Sequence, residues 1–341
     1  MKYCLPEGVL SIHMQNQKNE DGYMKSTKTL TQRRNIFIAI SLAVPILLLL
    51  MFVVFPATKL FTMSMTDWDG LSPTSHFVGF NNYVKMFSDQ DLWLSLRNNG
   101  IYFFVHLLFI PVELAIAVML TTKMRGAKFF KSMSFLPYVI NGVAIAYSFS
   151  YFFSPINGGF DAILNFLGLS SWTHNWLSDE NIVNYVLASV SLWRFSGYHV
   201  ILFISALTSV PNDILEAATI DGANAWHKFR YIQTPSIRLV IDFILFDNVR
   251  GALQVFEIPF VITSGGPGYA SSTFTLYSVK TAFSYNNFGL ASAMAVTIML
   301  MIIVVYLIQN MIVQYTRVRG EKRERKVINK MADKVKGGVQ A

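Results

Sequence analysis

Asp247, Arg250, Gln254 and Glu257 are the side chains of this 341-residue chain whose types and spacing best suit chemistry. At about 100° per residue on a continuous helix, the four fall within roughly one quadrant, with Asp242 and Asn248 nearby. The surrounding residues are apolar, and ionisable groups at membrane depth are costly enough that they face a protein interior or a wet cavity. Two readings follow. As a solute path, the stripe offers polar heads to a solute's hydroxyls. As a scaffold, Arg250 pairs with Asp247 and Glu257 and ties a bundle together. Arg250 also leaves open an anionic solute, which a guanidinium could clamp with two hydrogen bonds.

A second group lies upstream: Trp193, Phe195, Ser196, Tyr198 and His199. Trp193 and Tyr198 are the candidates for stacking on the C–H faces of a ring-shaped solute, although aromatics in membrane helices commonly pack or anchor at interfaces. Ser196 and His199 make a hydroxyl–imidazole pair without a third orienting group, and helix–helix hydrogen bonding accounts for such a pair more simply than hydrolysis. Enzymatic signatures are missing. No Gly-x-x-x-x-Gly-Lys-[Ser/Thr] loop occurs, and Gly265-Gly266-Pro267-Gly268, lacking a following Lys, reads as a turn. No His-Glu-x-x-His or Gly-x-Ser-x-Gly occurs either, and Cys4 as the sole cysteine gives neither a disulfide framework nor a thiolate metal site. No catalytic residue, cofactor or metal is expected.

The elements that must position these residues are membrane spans. The chain is 53% hydrophobic and 14% charged, against about 25% charged in soluble domains. Six segments reach the roughly 20 apolar residues a spanning helix needs: Ile36–Phe61, Gly100–Leu120, Phe135–Phe153, Ile182–Leu207, Leu239–Ile262 and Phe288–Val313. The fifth, which carries the charged stripe, is the weakest. The expected architecture is an all-α, six-helix polytopic bundle over 36–316, between an irregular polar tail (1–35) and a basic tail (317–341). The first span lacks a cleavage site and reads as an uncleaved anchor, and Met24 is a plausible translation start. Basic loops alternate with poor ones. Lys25, Lys28, Arg33 and Arg34 precede the first span, Lys123, Arg125, Lys128 and Lys131 fill the second loop, Lys228, Arg230 and Arg238 the fourth, and Arg317, Arg319, Lys322, Arg323, Arg325 and Lys326 follow the last span. Residues 154–181 carry no Lys or Arg. Positive-inside bias therefore places both termini and the 208–238 loop in the cytoplasm. The basic tail reads as a solvated extension that enforces topology rather than as a nucleic-acid arm.

Residues 211–236 form a polar, helix-prone interruption between the fourth and fifth spans. Pro211 and Asn212 restart the chain, Asp213 favours a helix N-terminus, and Ile214 to Ile220 can make two turns. Gly222 permits a reversal, Ala223 to Ile232 can form a second helix, and Pro235 closes it. The small residues Ala217, Ala218 and Ala223 would let this knob approach another backbone closely.

The pattern Glu216, Ala217, Ala218, Asp221, Gly222, Ala223, Phe229, Ile232 and Pro235 resembles, in register, the EAA loop of permease subunits of bacterial ATP-binding-cassette (ABC) importers. Thr234 departs from the usual leucine. Ser64-Met65-Thr66-Asp67, Phe77-Val78-Gly79-Phe80, Phe135-Leu136-Pro137-Tyr138, Asn157-Gly158-Gly159, Asn175-Trp176-Leu177, Trp193-Arg194, Thr263-Ser264-Gly265-Gly266-Pro267 and Phe288-Gly289-Leu290-Ala291-Ser292-Ala293 extend the likeness over about residues 36–316, closest to the maltose and multiple-sugar permeases. The resemblance implies a non-catalytic subunit of a sugar importer in the bacterial cell membrane. A second permease, paired as a heterodimer, would complete the path, an ATPase dimer would grip Glu216, Ala217, Ala218, Asp221, Gly222 and Ala223, and an extracytoplasmic binding protein would deliver sugar. It also implies a substrate path along the fifth span and near Trp193-Arg194. Arg250 is unexpected for a neutral sugar, which keeps an acidic sugar or sugar phosphate open. An ATPase-independent secondary transporter using Asp247 and Glu257 as cation sites is the alternative from another class.

Overall fold

The computed structural model describes residues 32–122 and 124–338, with side chains as far as Tyr315. Met24, Cys4, Lys25, Lys28 and Lys123 lie outside the described residues, as does nearly all of the expected 1–35 tail, and the side chains of the basic tail are likewise not described. Two compact units divide the chain, 1–62 and 63–341.

The described secondary structure is all-α apart from an isolated antiparallel bridge between Thr66 and Phe77. Helix α1 (Gln32–Ser64) is an unbroken apolar rod with one widened π turn at Leu50–Val54. Its most apolar window has no buried residue, the state expected of a helix solvated by lipid. The second unit opens with the short α2 (Asn81–Ser88) and the long α3 (Gln90–Thr121). Then follow α4 (Ala127–Val139), α5 (Gly142–Phe152), α6 (Gly159–Phe166) and α7 (Val183–Thr208). The 211–236 loop contributes α8 (Asn212–Ile220) and α9 (Ala225–Lys228). Last come α10 (Arg238–Gln254), α11 (Glu257–Thr263), α12 (Phe274–Phe283) and α13 (Phe288–Gly338). The backbone of the expected 317–341 tail thus continues the last helix as far as Gly338.

Four described helices are long and apolar enough to cross a membrane, and a fifth span results if α4 and α5 count together. The expected third span, Phe135–Phe153, is therefore corrected: it is two helices bent by 95°. Asn141 makes the corner, its Oδ1 accepting from Val143 N at 2.9 Å and Ala144 N at 3.3 Å to start α5 anew. The expected fifth span, Leu239–Ile262, is likewise interrupted. Val255, with ψ of 124°, is extended, and α11 begins two residues later. Pro259 falls in the first turn of α11, where a missing N–H costs nothing.

The interrupted α10–α11 segment is not among the helices long and apolar enough to cross a membrane, and its break is capped by other elements, as buried backbone requires. Asn99 of α3 donates Nδ2 to Ala252 O at 2.5 Å and accepts Phe274 N on Oδ1 at 2.8 Å. Thr273 Oγ1 donates to Val255 O at 2.7 Å and Thr275 Oγ1 to Leu253 O at 3.1 Å. Next to this clamp, Asn98 donates to Ala270 O at 2.9 Å and Ser272 O at 2.8 Å, while Asn184 of α7 donates to Asn98 Oδ1 at 3.0 Å and also to Ala270 O. Two asparagines, Asn98 and Asn184, thus bind the 264–273 loop to α3 and α7. Between α3 and α7, the apolar packing of Tyr102, Leu187 and Val190 continues into Ile258 at one level, and that of Ile110, Ala117 and Phe203 into Ile244 at another. Gly197 sets the α4–α7 crossing, because a Cβ there would overlap the Ser134 carbonyl.

Candidate functional site

The break at Val255 borders a cavity of about 300 Å³, walled by α3, α7, α10 and the start of α11. Asp247, Asn248, Arg250, Gln254 and Glu257 all line it. Trp193 and Tyr198 do not. Trp193 is 47% exposed and meets Phe149 edge-on at 5.2 Å, whereas Tyr198 stacks on Tyr138 at 4.7 Å. The aromatic surfaces of the cavity are Tyr102, Phe195 and Phe256.

The fifth-span break also changes the partners expected from spacing. Glu257 opens α11 rather than continuing the stripe, and its Oε2 accepts from Arg194 Nη1 at 2.5 Å, not from Arg250. Gly142 leaves room for this pair, since a Cβ would overlap both Arg194 Nη1 and Glu257 Oε2. Arg250 stays with Asp247, donating from Nη2 at 2.6 Å and Nε at 3.2 Å to the same Oδ1. Asp247 Oδ2 faces His199 Nε2 at 3.8 Å, and His199 Nδ1 meets Glu113 Oε2 at 3.0 Å. A line of ionisable side chains, Glu113, His199, Asp247 and Arg250, thus runs from α3 through α7 to α10 and ends at the cavity. His106 Nε2 and Ser191 Oγ, 3.1 Å apart, add a polar contact on the same wall. Asn248 reaches back to Phe103 O at 3.4 Å.

Glu113, His106 and Tyr102 escaped the reading of the sequence. Glu113 and His106 are seven apart, one helical face, inside an apolar span, and that spacing was the available signal. Glu113 is fully buried and His199 is 3% exposed, which makes the ion pair between them a tie between α3 and α7. His199 finds its orienting partners on other helices, and Ser196 is not among them.

The 211–236 loop is a separate candidate. Helix α8 ends in a Schellman turn: Gly222, at φ +84°, donates to Thr219 O at 3.1 Å, and Ala223 N donates to Ala218 O at 2.8 Å. Asn224 then caps α9, its Oδ1 accepting from His227 N at 2.9 Å. Lys228 Nζ donates to Thr219 Oγ1 at 3.1 Å and braces the two helices. Leu215 and Ile232 pack towards the α3–α7 core. The second helix starts at Ala225, later than expected, and passes through a π turn at Phe229–Gln233 to Ser236. The widened turn lies just before Pro235, which has no N–H to return. Glu216, Ala217, Asp221 and Gly222 are exposed, Ala218 and Ala223 half-buried, and Ile214, Ile220, Trp226 and Tyr231 stand outward.

No family model matches the chain. Curated relatives do. The probable ABC transporter permease YurN of Bacillus subtilis is 31% identical over 269 residues, 78% of this chain and 92% of the relative. The diacetylchitobiose uptake permease NgcF of Streptomyces coelicolor is 30% identical over 310 residues, 87% and 88% of the two chains. Among solved structures, a bacterial ABC transporter that imports the acidic polysaccharide alginate matches with a TM-score of 0.72 at 22% identity, covering 82% of this chain and 96% of that one, a likeness of fold. With its several spans and this extent of relatedness, the chain is a multi-pass membrane protein and belongs to the permease family of ABC transporters.

Proposed function

We propose that this chain is one of two permeases of an ATP-driven carbohydrate importer, and that its cavity is a station on the sugar's path. The observation that carries the reading is the cavity itself, a pocket rich in hydrogen-bonding heads with aromatic surfaces, at the break of a span. Sugars need both features, polar partners for hydroxyls and flat apolar faces for C–H edges. NgcF, named for diacetylchitobiose uptake, supports the substrate class. The path residues are Asp247, Asn248, Arg250, Gln254 and Glu257; Trp193 and Tyr198 flank the path from outside the cavity.

The chain has six spans in this reading, counting α4–α5 and α10–α11 as one each, with both termini cytoplasmic. The loop charges support that topology. The 211–236 knob then faces the cytoplasm and docks in an ATPase dimer, which hydrolyses ATP on behalf of a chain without a phosphate loop of its own. A second, different permease and an extracytoplasmic binding protein complete the assembly. Glu216→Lys tests the docking half. The exposed position tolerates the change, so the variant inserts normally but loses ATPase retention and uptake. Normal uptake by this variant would refute the docking role. Wild-type uptake that persists without any ATPase would favour the secondary-transporter reading instead.

A further inference from the structure

The charges around the cavity are matched within the chain. Arg194 and Arg250 line it, and so do Asp247 and Glu257. Each arginine is already held by a carboxylate, Arg194 by Glu257 at 2.5 Å and Arg250 by Asp247 at 2.6 Å. Behind them Glu113 Oε2 and His199 Nδ1 are 3.0 Å apart. No lining arginine is therefore left as a bare cation for an incoming anion. An acidic sugar would have to displace Asp247 or Glu257, and the displaced carboxylate would then repel it. A neutral sugar meets no such cost, because the remaining donors of a paired guanidinium can still reach hydroxyls. Tyr102 adds a polar group. It lines the cavity, is 1% exposed, and its hydroxyl has no hydrogen-bond partner among the described residues, a group that a solute's polar atom could complete.

We propose that the site accepts neutral sugars and turns away uronic acids and sugar phosphates, and that Asp247 and Glu257 set this selectivity by occupying the two arginines. This rests on the carbohydrate reading above. It also assigns Arg250 a purpose that the sequence left open: a positioned donor whose charge is cancelled.

The test uses the whole detergent-purified importer without its binding protein, so that the permease does the selecting. It is equilibrated with a mixture of short neutral gluco-, galacto-, manno- and xylo-oligosaccharides and an equal mixture of oligogalacturonates and oligoguluronates. Retained sugars are identified by mass spectrometry. The wild type should retain members of the neutral mixture alone. Asp247→Asn and Glu257→Gln each free one arginine, and each should raise uronate retention about tenfold or more, the value of a charge-assisted hydrogen bond. Asp247→Glu, which keeps a carboxylate beside Arg250, should gain no uronate retention. Retained ATPase reports assembly, and if one freed-arginine variant fails to assemble the other carries the test. The proposal is overturned if the wild type retains uronates as well as neutral sugars, or if an assembled freed-arginine variant gains none. Retention of neither mixture, with capture of a peptide or amino-acid mixture instead, would overturn the carbohydrate reading and this proposal with it.

Discussion

Replacing Gly222 by alanine isolates a single physical term. The residue sits at φ +84°, and a Cβ there would meet no atom within 4 Å. The substitution therefore introduces no clash, and its whole cost is the left-handed backbone, about 1–2 kcal/mol for a residue with a Cβ. At the knob that cost falls on two hydrogen bonds, Gly222 N to Thr219 O and Ala223 N to Ala218 O, which set the angle between α8 and α9. If the ATPase recognises that angle, docking must re-impose it, and about 1–2 kcal/mol corresponds to a 5- to 30-fold loss of affinity. Asparagine tolerates the left-handed region better than alanine and should lose less. The assay is a titration of purified ATPase onto membranes holding glycine, alanine or asparagine at 222, reading the half-saturating concentration. Alanine should need the most ATPase, asparagine an intermediate amount, with equal permease in the membrane throughout. Equal values for all three would refute the idea that the turn's geometry is what the partner reads. A loss in asparagine as large as in alanine would point instead to crowding by any side chain.

Two further substitutions probe the span breaks. Asn99→Leu removes the group that satisfies both Ala252 O and Phe274 N; each orphaned group costs about 1–3 kcal/mol, so the detergent-solubilised protein should unfold at a clearly lower temperature, and an unchanged unfolding temperature would refute the clamp. Gly142→Ala drives a methyl into Arg194 and Glu257, so sugar retention should fall while ATPase retention, read from the distant knob, stays as in the wild type; loss of both together would indicate general disruption.

The knob was legible because it is local. Pro211, Asp213, Gly222 and Pro235 each act within a turn or two of themselves, and sequence spacing alone fixes what they do. The second helix moved at both ends, starting at Ala225 after the cap by Asn224 and running through Pro235, expected to close it, to Ser236. The apolar spans that are continuous, such as Gln90–Thr121 and Val183–Thr208, were legible from hydropathy. The broken ones were not, because a hydropathy window averages through a corner. The corner at Asn141 carries a local sign, a capping residue before a glycine, and the break at Val255 carries one too, Pro259 four residues on, which has no N–H for Val255 O; the caps that complete it come from Asn99, more than a hundred residues away, and from Thr273 and Thr275. That break is also why the four-residue stripe was read too simply. Glu257 was placed on the helix of Arg250, and it starts a different one. The cavity's other wall, with His106, Ser191 and His199, depends on contact between α3 and α7, which a single sequence does not display.

The caps on the broken fifth span also bear on how the chain is made. Its carbonyls at Ala252, Leu253 and Val255 are taken up by Asn99, Thr275 and Thr273. Asn99 has entered the membrane long before the break is synthesised, but the two threonines follow it. While the ribosome is still adding residues 256–272, the carbonyls at Leu253 and Val255 lack their threonine partners, and Pro259, four residues after Val255, has no N–H with which a straight helix could satisfy Val255 O. The bend is therefore present as soon as Pro259 is added, and its capping comes late, after the loop carrying Thr273 and Thr275 folds back against α3. A nascent chain arrested before Thr273 should hold this segment bent but uncapped, and the cavity beside it should not yet be fixed in shape.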